Sequence, residues 1–325
     1  MKRILLYLFF IFLLGDNCPR LGPAFRSKPV PLGDVFRDYW QEINHFHRSI
    51  NDMKVINGKI FIADWDEIYS LDSVWRKIVE INKVITSFEV SRLNPNWLLI
   101  LDEYSVLYLV KNGETPESLS GRIKSYSFSP FDTFTLYFAT EDSLKISYDG
   151  GASSELLLAK SEIKDFKPDP YDPGSLYLLN DSLGINYLSI TNDSGQTWHS
   201  TPTPEYLDFI LVDSNQVYGL STDRMKIWQF DKTNQNWEKI GNEEFMAVDL
   251  AENGLIGVFV ISDKAECWKR QGSNWKDITI GINAPGYITD SDVKLACEGN
   301  DYYLFVSTTR GGDFLYLFHD TDKEP

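Results

Sequence analysis

Tryptophans recur along this chain at intervals of about 40 residues, and that period limits the fold more than any other feature. Trp40-Gln-Glu-Ile43, Trp75-Arg-Lys-Ile78, Trp237-Glu-Lys-Ile240 and Trp275-Lys-Asp-Ile278 share a W-x-x-I pattern, and Trp198-His-Ser-Thr201 stands in phase with them. Pro116-Glu-Ser-Leu119 and Ser154-Glu-Leu-Leu157 fill the two remaining places with the Trp replaced. The successive intervals are 35, 41, 38, 44, 39 and 38 residues, which makes seven copies.

Two short aromatic or branched runs precede most copies, such as Lys59–Ala63 with Ile68–Leu71 and Trp97–Leu101 with Val106–Val110. Before these lie alternating segments, among them Ile123–Phe128, Ile163–Phe166 and Phe245–Leu250. Such runs read as strands, and the joints between them (Asn57-Gly58, Asn94-Pro95-Asn96, Asp172-Pro173-Gly174) carry turn chemistry. Four strands per unit predicts an all-β, seven-bladed propeller of four-stranded blades. The last unit has three strands, near Asp292–Ala296, Tyr302–Val306 and Phe314–Phe318, and lacks a fourth. The orphan strand around Tyr39–Ile43 completes it from the other end of the chain, closing the ring without a free sheet edge.

At the N-terminus, Lys2 and Arg3 precede the apolar run Ile4–Leu14, which is too short to span a bilayer and fits a secretory signal peptide. We expect residues 1–24 to be a leader and 25–325 a single propeller domain, secreted or periplasmic. Cys18 follows Gly15-Asp16-Asn17, which argues against lipid anchoring. Cys267 and Cys297 fall in different blades and read as small buried hydrophobes. Asn180-Asp-Ser182 and Asn192-Asp-Ser194 are glycosylation sequons.

The turn before Trp198 reads Thr191-Asn192-Asp193-Ser194-Gly195-Gln196-Thr197. It resembles the Asp-box, or BNR repeat, S/T-x-D-x-G-x-x-W/F. Ser147-Tyr148-Asp149-Gly150-Gly151 matches the first five positions, with Ser154 in place of the aromatic. Through this pattern the chain resembles the Asp-box propellers, which include sialidases, xyloglucan-active glycosidases, sortilin-type receptors and the photosystem II assembly factor. The resemblance implies that Ser147, Asp149, Gly151, Thr191, Asp193, Gly195 and Trp198 are scaffold. Phe25-Arg26-Ser27-Lys28-Pro29 breaks the sialidase F/Y-R-I-P motif, and arginines are few.

Asp and Glu number 47 against 31 Lys and Arg, for a net charge of −16. An acidic chain with no basic cluster is a poor nucleic-acid binder, because that affinity comes from neutralising phosphates, so no nucleic-acid partner is expected, and an anionic membrane surface repels it. Every expected second-to-third-strand loop carries acid. Asp64, Asp66 and Glu67 flank Trp65, Asp102 and Glu103 precede Tyr104, and Glu141, Asp142, Asp181, Asp223, Asp263 and Asp313 follow. Asp is a common turn residue, but together these loops also predict a negative rim that attracts a basic protein, a cation or an amine. Arg224, Lys264 and Arg310 partly offset it. His45 and His47 alternate on one strand, but His319 falls at the opposite end of its blade, so no three-His site follows. No cofactor or metal is expected. The leading expectation is a monomeric, non-enzymatic binding or assembly module for a protein or carbohydrate partner. The alternative is a glycoside hydrolase using two carboxylates of this face.

Overall fold

The computed structural model describes residues 41–46, 50–71, 74–160, 162–223, 226–241, 245–251, 254–261, 264–279, 282, 288, 293–308 and 312–320. The leader with Cys18, Trp40, His47, Arg224, Asp263 and Arg310 lies outside them, as does the side chain of His45. The first strand is β1 (Gln41–Phe46). Blade 1 follows as β2 (Asp52–Ile56), β3 (Lys59–Asp64), β4 (Glu67–Leu71) and β5 (Trp75–Glu80). Blade 2 is β6 (Ile85–Val90), β7 (Trp97–Asp102), β8 (Leu107–Lys111) and β9 (Glu117–Ser120). Blade 3 is β10 (Ser125–Phe128), β11 (Leu136–Ala139), β12 (Ser143–Ser147) and β13 (Glu155–Ala159). Blade 4 is β14 (Ile163–Pro168), β15 (Leu176–Ser182), β16 (Ile185–Thr191) and β17 (His199–Pro202). Blade 5 is β18 (Leu207–Val212), β19 (Gln216–Ser221), β20 (Ile227–Asp231) and β21 (Asn236–Gly241). Blade 6 is β22 (Ala247–Ala251), β23 (Gly254–Ile261), β24 (Lys264–Gln271) and β25 (Asn274–Asp277). Blade 7 is β26 (Val293–Glu298), β27 (Asp301–Thr308) and β28 (Gly312–His319), with β1 as its fourth strand. The fold is therefore a seven-bladed β-propeller. Among the described residues no helix is long and apolar enough to cross a membrane.

Closure works as the sequence predicts, and among the described residues the pairing strand runs past Ile43 to Phe46. β1 runs antiparallel to β28, Gln41 opposite Leu317 and Phe46 opposite Asp313, with a bulge between Glu42 and Asn44. The apolar side chains collect in seven clusters, one at each junction between neighbouring blades. This arrangement explains the repeat. Trp198, Trp237 and Trp275 each pack into the junction between their own blade and the preceding one. Trp237 meets Phe230 at 5.1 Å between ring centroids and Trp275 meets Phe245 at 5.3 Å. One large ring thus covers two sheets, and burying such a side chain contributes about 1.5–3 kcal/mol. Cys267 and Cys297 are free, buried thiols in the junction of blades 6 and 7, and desolvation pushes both far up.

Turns from second to third strands, with the connections between blades, form the upper face. First-to-second and third-to-fourth turns form the lower face. Both box turns lie on the lower face. Thr191 Oγ1 donates to Asp193 Oδ1 (2.7 Å) and accepts from Gly195 N (3.0 Å), while Asp193 accepts Thr197 N (2.8 Å) and Oγ1 (2.6 Å). Ser147, Asp149, Gly151 and Ser153 repeat that pattern. Trp198 Nε1 donates to Gly195 O at 3.1 Å.

These bonds favour the ionised carboxylate. The Ser153 hydroxyl and amide, then Ser147, hold Asp149 down to about 2, and Thr197 with Thr191 does the same for Asp193. The ordinary value is 3.8 for both. A depressed folded value gives stability that is present above the ordinary value and is lost as pH falls through the folded one. Stability should therefore fall between pH 3.8 and about 2. Urea midpoints across that window should fall less steeply for Asp149→Asn/Asp193→Asn; equal slopes would show that these turns are not the acid-sensitive element.

Candidate functional site

The upper face gathers the residues that the sequence nominates, but it turns many of their carboxylates inward. Asp64, Asp66, Asp102, Asp181 and Asp313 are buried. Asp102 Oδ1 accepts Tyr104 N (2.9 Å) and Val106 N (2.8 Å), and its Oδ2 accepts Tyr108 OH (3.1 Å). Asp181 Oδ1 accepts Gly184 N at 2.9 Å, and Asp313 Oδ1 accepts Ser307 Oγ. Glu67 is half-buried and holds Tyr69 OH and Lys77. These groups shape their own turns. Glu103, Glu141, Asp142 and Asp223 reach solvent. Asp142 still accepts the Thr140 hydroxyl at 2.7 Å, which lowers its carboxyl, and Asp223 accepts Ser221 Oγ.

The apolar tips stand out from this background. Trp65 is 60% exposed at φ 55°, and Leu183 is 101% exposed at φ 56°. Tyr104 is 65% exposed, with Lys83 Nζ 5.1 Å from its ring centroid. Bulky residues are disfavoured at positive φ, where Gly or Asn is cheaper. Leu183 and Gly184 form the two-residue turn between β15 and β16, a place that favours Asn-Gly. Leu183 escaped the sequence reading, although the pair Leu183-Gly184 between two strand patterns marks it.

Beside Tyr104 a groove of ≈ 690 Å³ runs from blade 2 across blade 3 to Glu162, just before blade 4. Arg122, Lys124 and Lys145 line it together with Glu141, Asp142 and Glu162. Ser105, Arg122 and Glu162 along it also hold positive φ, at 60°, 61° and 53°. The upper face thus carries both signs of charge at this groove, where the sequence predicts a negative rim. Lys264 is exposed at the start of β24. No group of three His, Cys, Asp or Glu among the described residues could hold a metal ion, and His319 is bonded to Asp301 at 2.6 Å.

A second set of carboxylates, on the innermost strands, was not singled out by sequence reasoning. Phe88 N donates to Asp52 Oδ2 (3.0 Å), Phe128 N to Glu89 Oε1 (3.1 Å), Ile210 N to Asp165 Oδ2 (3.1 Å) and Cys297 N to Asp249 Oδ2 (2.8 Å). In each pair the acid sits on one blade's first strand and the donor on the next blade's. Together they line or flank a central channel of ≈ 420 Å³ with Lys54 and Lys167, which pair with Asp52 (3.1 Å) and Asp165 (3.3 Å). Burial pushes Glu89 and Asp249 up. The signal was an acid within a blade's first strand, clearest at Asp249 in the otherwise apolar Ala247–Ala251. Asn180 is fully buried, so its sequon offers no accessible acceptor in the folded chain.

No protein-family model matches the sequence, and no curated protein matches it. Solved structures do match its shape. The chain is similar to YCF48 bound to a D1 peptide, with TM-score 0.62 and 15% identity over 92% of this chain and 100% of that one. It is similar to a GH74 enzyme of Niastella koreensis, with TM-score 0.62 and 13% identity over 85% of this chain and 53% of that one. It is also similar to the WD40 β-propeller domain of Doa1, with TM-score 0.58, 14% identity and coverage of 93% and 98%. The chain spans about half of the GH74 enzyme and the whole of the YCF48 chain. At these identities the likeness establishes the seven-bladed propeller shared with YCF48 and the GH74 enzyme.

Proposed function

We propose that this chain is a non-enzymatic propeller of the Asp-box type, working outside the cytoplasm, that binds a polypeptide partner on its upper face through Trp65, Tyr104 and Leu183. The observation that carries this reading is the pair Trp65 and Leu183, exposed apolar tips in left-handed turns. Each costs about 1 kcal/mol of backbone strain that Asn or Gly would relieve. Strain kept at a solvent-facing tip does nothing for the core, so it points to a contact made outside the chain. The neighbouring groove offers both signs of charge, which suits a peptide with its own mixture of side chains. YCF48 was solved with a peptide and matches end to end, which supports a polypeptide ligand over a glycan. The two box turns support the Asp-box assignment, and the leader-like N-terminus supports export.

The test separates stability from binding. Leu183→Asn and Trp65→Asn should each raise folding stability by about 0.5–1 kcal/mol. The same changes should abolish retention of a partner that immobilised wild-type protein captures from the envelope or secreted fraction. Equal retention by the double variant would overturn the reading. Hydrolysis of a glycan panel, lost on Glu141→Gln, would favour the glycosidase instead.

A further inference from the structure

Among the described residues, the lower face breaks the sevenfold symmetry in one sector. Three consecutive first-to-second turns, in blades 2, 3 and 4, share one build. Ser91 N donates to Trp97 O (3.0 Å), Ser129 N to Thr135 O (2.9 Å) and Asp169 N to Ser175 O (3.0 Å). The following residue, Arg92, Pro130 or Pro170, lines the central channel. The next points to solvent, and it is apolar each time: Leu93 at 50%, Phe131 at 44% and Tyr171 at 64% exposure. The matching turns of blades 1, 5 and 7 are short and polar, at Asn57-Gly58, Asp213-Ser214-Asn215 and Gly299-Asn300.

Blade 3 widens this arc. Phe134 is 54% exposed and packs edge-on against Trp97, with ring centroids 5.4 Å apart. Gly150 N donates to Phe134 O (2.8 Å), which ties the third-to-fourth turn and the 58%-exposed Tyr148 to the same patch. None of these rings is needed to fill the core, because each turn is already fixed by backbone bonds and by Asn94, Asp132 or Asp172. Exposed apolar groups gathered in one sector mark an interaction surface.

Charge decides what can cover it. Asp132, Asp149, Asp172 and Asp193 occupy the turns of this sector. Hydrogen bonds lower Asp149, Asp172 and Asp193, so their charges persist at neutral pH. Two nearby cations are engaged: Lys111 lies 5.3 Å from the Trp97 ring centroid and 3.9 Å from Glu117, and Lys232 is paired with Asp169 at 2.7 Å. Exposed Arg92, beside Leu93 at the rim of the channel, offsets only part of the charge of the four aspartates. A second copy would bring the same acids against these, on a chain of net charge −16. An anionic lipid surface is excluded on the same ground.

We propose that this arc is a second docking surface, and that it takes a basic polypeptide segment carrying apolar side chains, laid across Leu93, Phe131 and Tyr171. The propeller then joins two partners, one on each face. The inference stands independently of the upper-face reading, because it uses none of its residues.

The probe is a labelled peptide of alternating lysine and leucine, followed by fluorescence anisotropy against the full chain. Peptides of alternating lysine and serine, and of glutamate and leucine, are the controls. The lysine–leucine peptide should bind best, and its affinity should fall as salt rises from about 20 to about 150 mM. Phe131→Ser/Tyr171→Ser should weaken it by about 10-fold or more with an unchanged melting curve, since both side chains are exposed. Trp65→Asn should leave it unchanged. The proposal is overturned if lysine–serine binds equally well, if the double variant binds like wild type, or if Trp65→Asn removes binding. Sedimentation showing a dimer that the double variant loses would assign the surface to a second copy and overturn it too.

Discussion

Asp320→Ala should destabilise the protein by about 3–5 kcal/mol, because it strands a buried ammonium. Lys269 on β24 and Asp320 after β28 pair across the junction of blades 6 and 7, with side chains 0% and 2% exposed. Tyr302 OH donates to the same carboxylate oxygen, and Asp320 N donates to Asn300 O at 2.8 Å. The pair itself adds little net stability, since desolvating two ions offsets most of their attraction. Removing one partner is different, because the desolvation penalty of the other then goes uncompensated. Lys269→Met/Tyr302→Phe/Asp320→Leu, which removes the charges and the hydroxyl together, should recover most of the loss. Urea midpoints at constant slope read both effects. A loss below about 1 kcal/mol for Asp320→Ala would mean that Lys269 finds water or another anion.

The second large effect lies at a box glycine. Gly195→Ala should cost about 2–5 kcal/mol, from about 1–2 for a side chain at positive φ and about 1–3 for overpacking. Gly195 sits at φ 87°, and a Cβ there would lie 2.5 Å from Leu157 Cδ1 and 2.8 Å from Leu157 Cγ. Gly151 repeats the arrangement one blade earlier, at φ 89° and 2.6 Å from Leu119 Cδ2. In both boxes the glycine lets the turn close against a leucine on the preceding blade's outermost strand. Leu157→Ala should relieve the packing part of the penalty in Gly195→Ala and leave the conformational part. If Leu157→Ala rescues nothing, the close approach is not what the glycine serves. Two requirements, one local and one between blades, thus converge on one position of the box.

Much of the architecture was legible because its signals are local. Branched and aromatic runs alternate with turn residues, and the Trp period counts blades. The three-stranded last unit called for a strand from the other end, and β1 supplies it. The register of that strand was not legible, because the bulge between Glu42 and Asn44 shifts it without leaving a mark in the residue types.

The candidate surfaces were legible only in part. An aspartate in a hairpin reads the same whether it faces a partner or its own backbone. Asp102 and Asp142 both stand in second-to-third turns, yet one is buried on Tyr104 and Val106 amides and the other is exposed. Backbone sign at Trp65 and Leu183 is likewise invisible in the residue names. The number of blades, their strand order and the closing pair can be read from residue order alone, because repeats and alternation follow from neighbours along the chain. Which carboxylates hold blades together and which apolar tips stay in water emerges only in the folded ring. Those outcomes depend on Asp249 reaching Cys297 and Asp320 reaching Lys269, contacts between residues about 50 positions apart that exist only once the ring has closed.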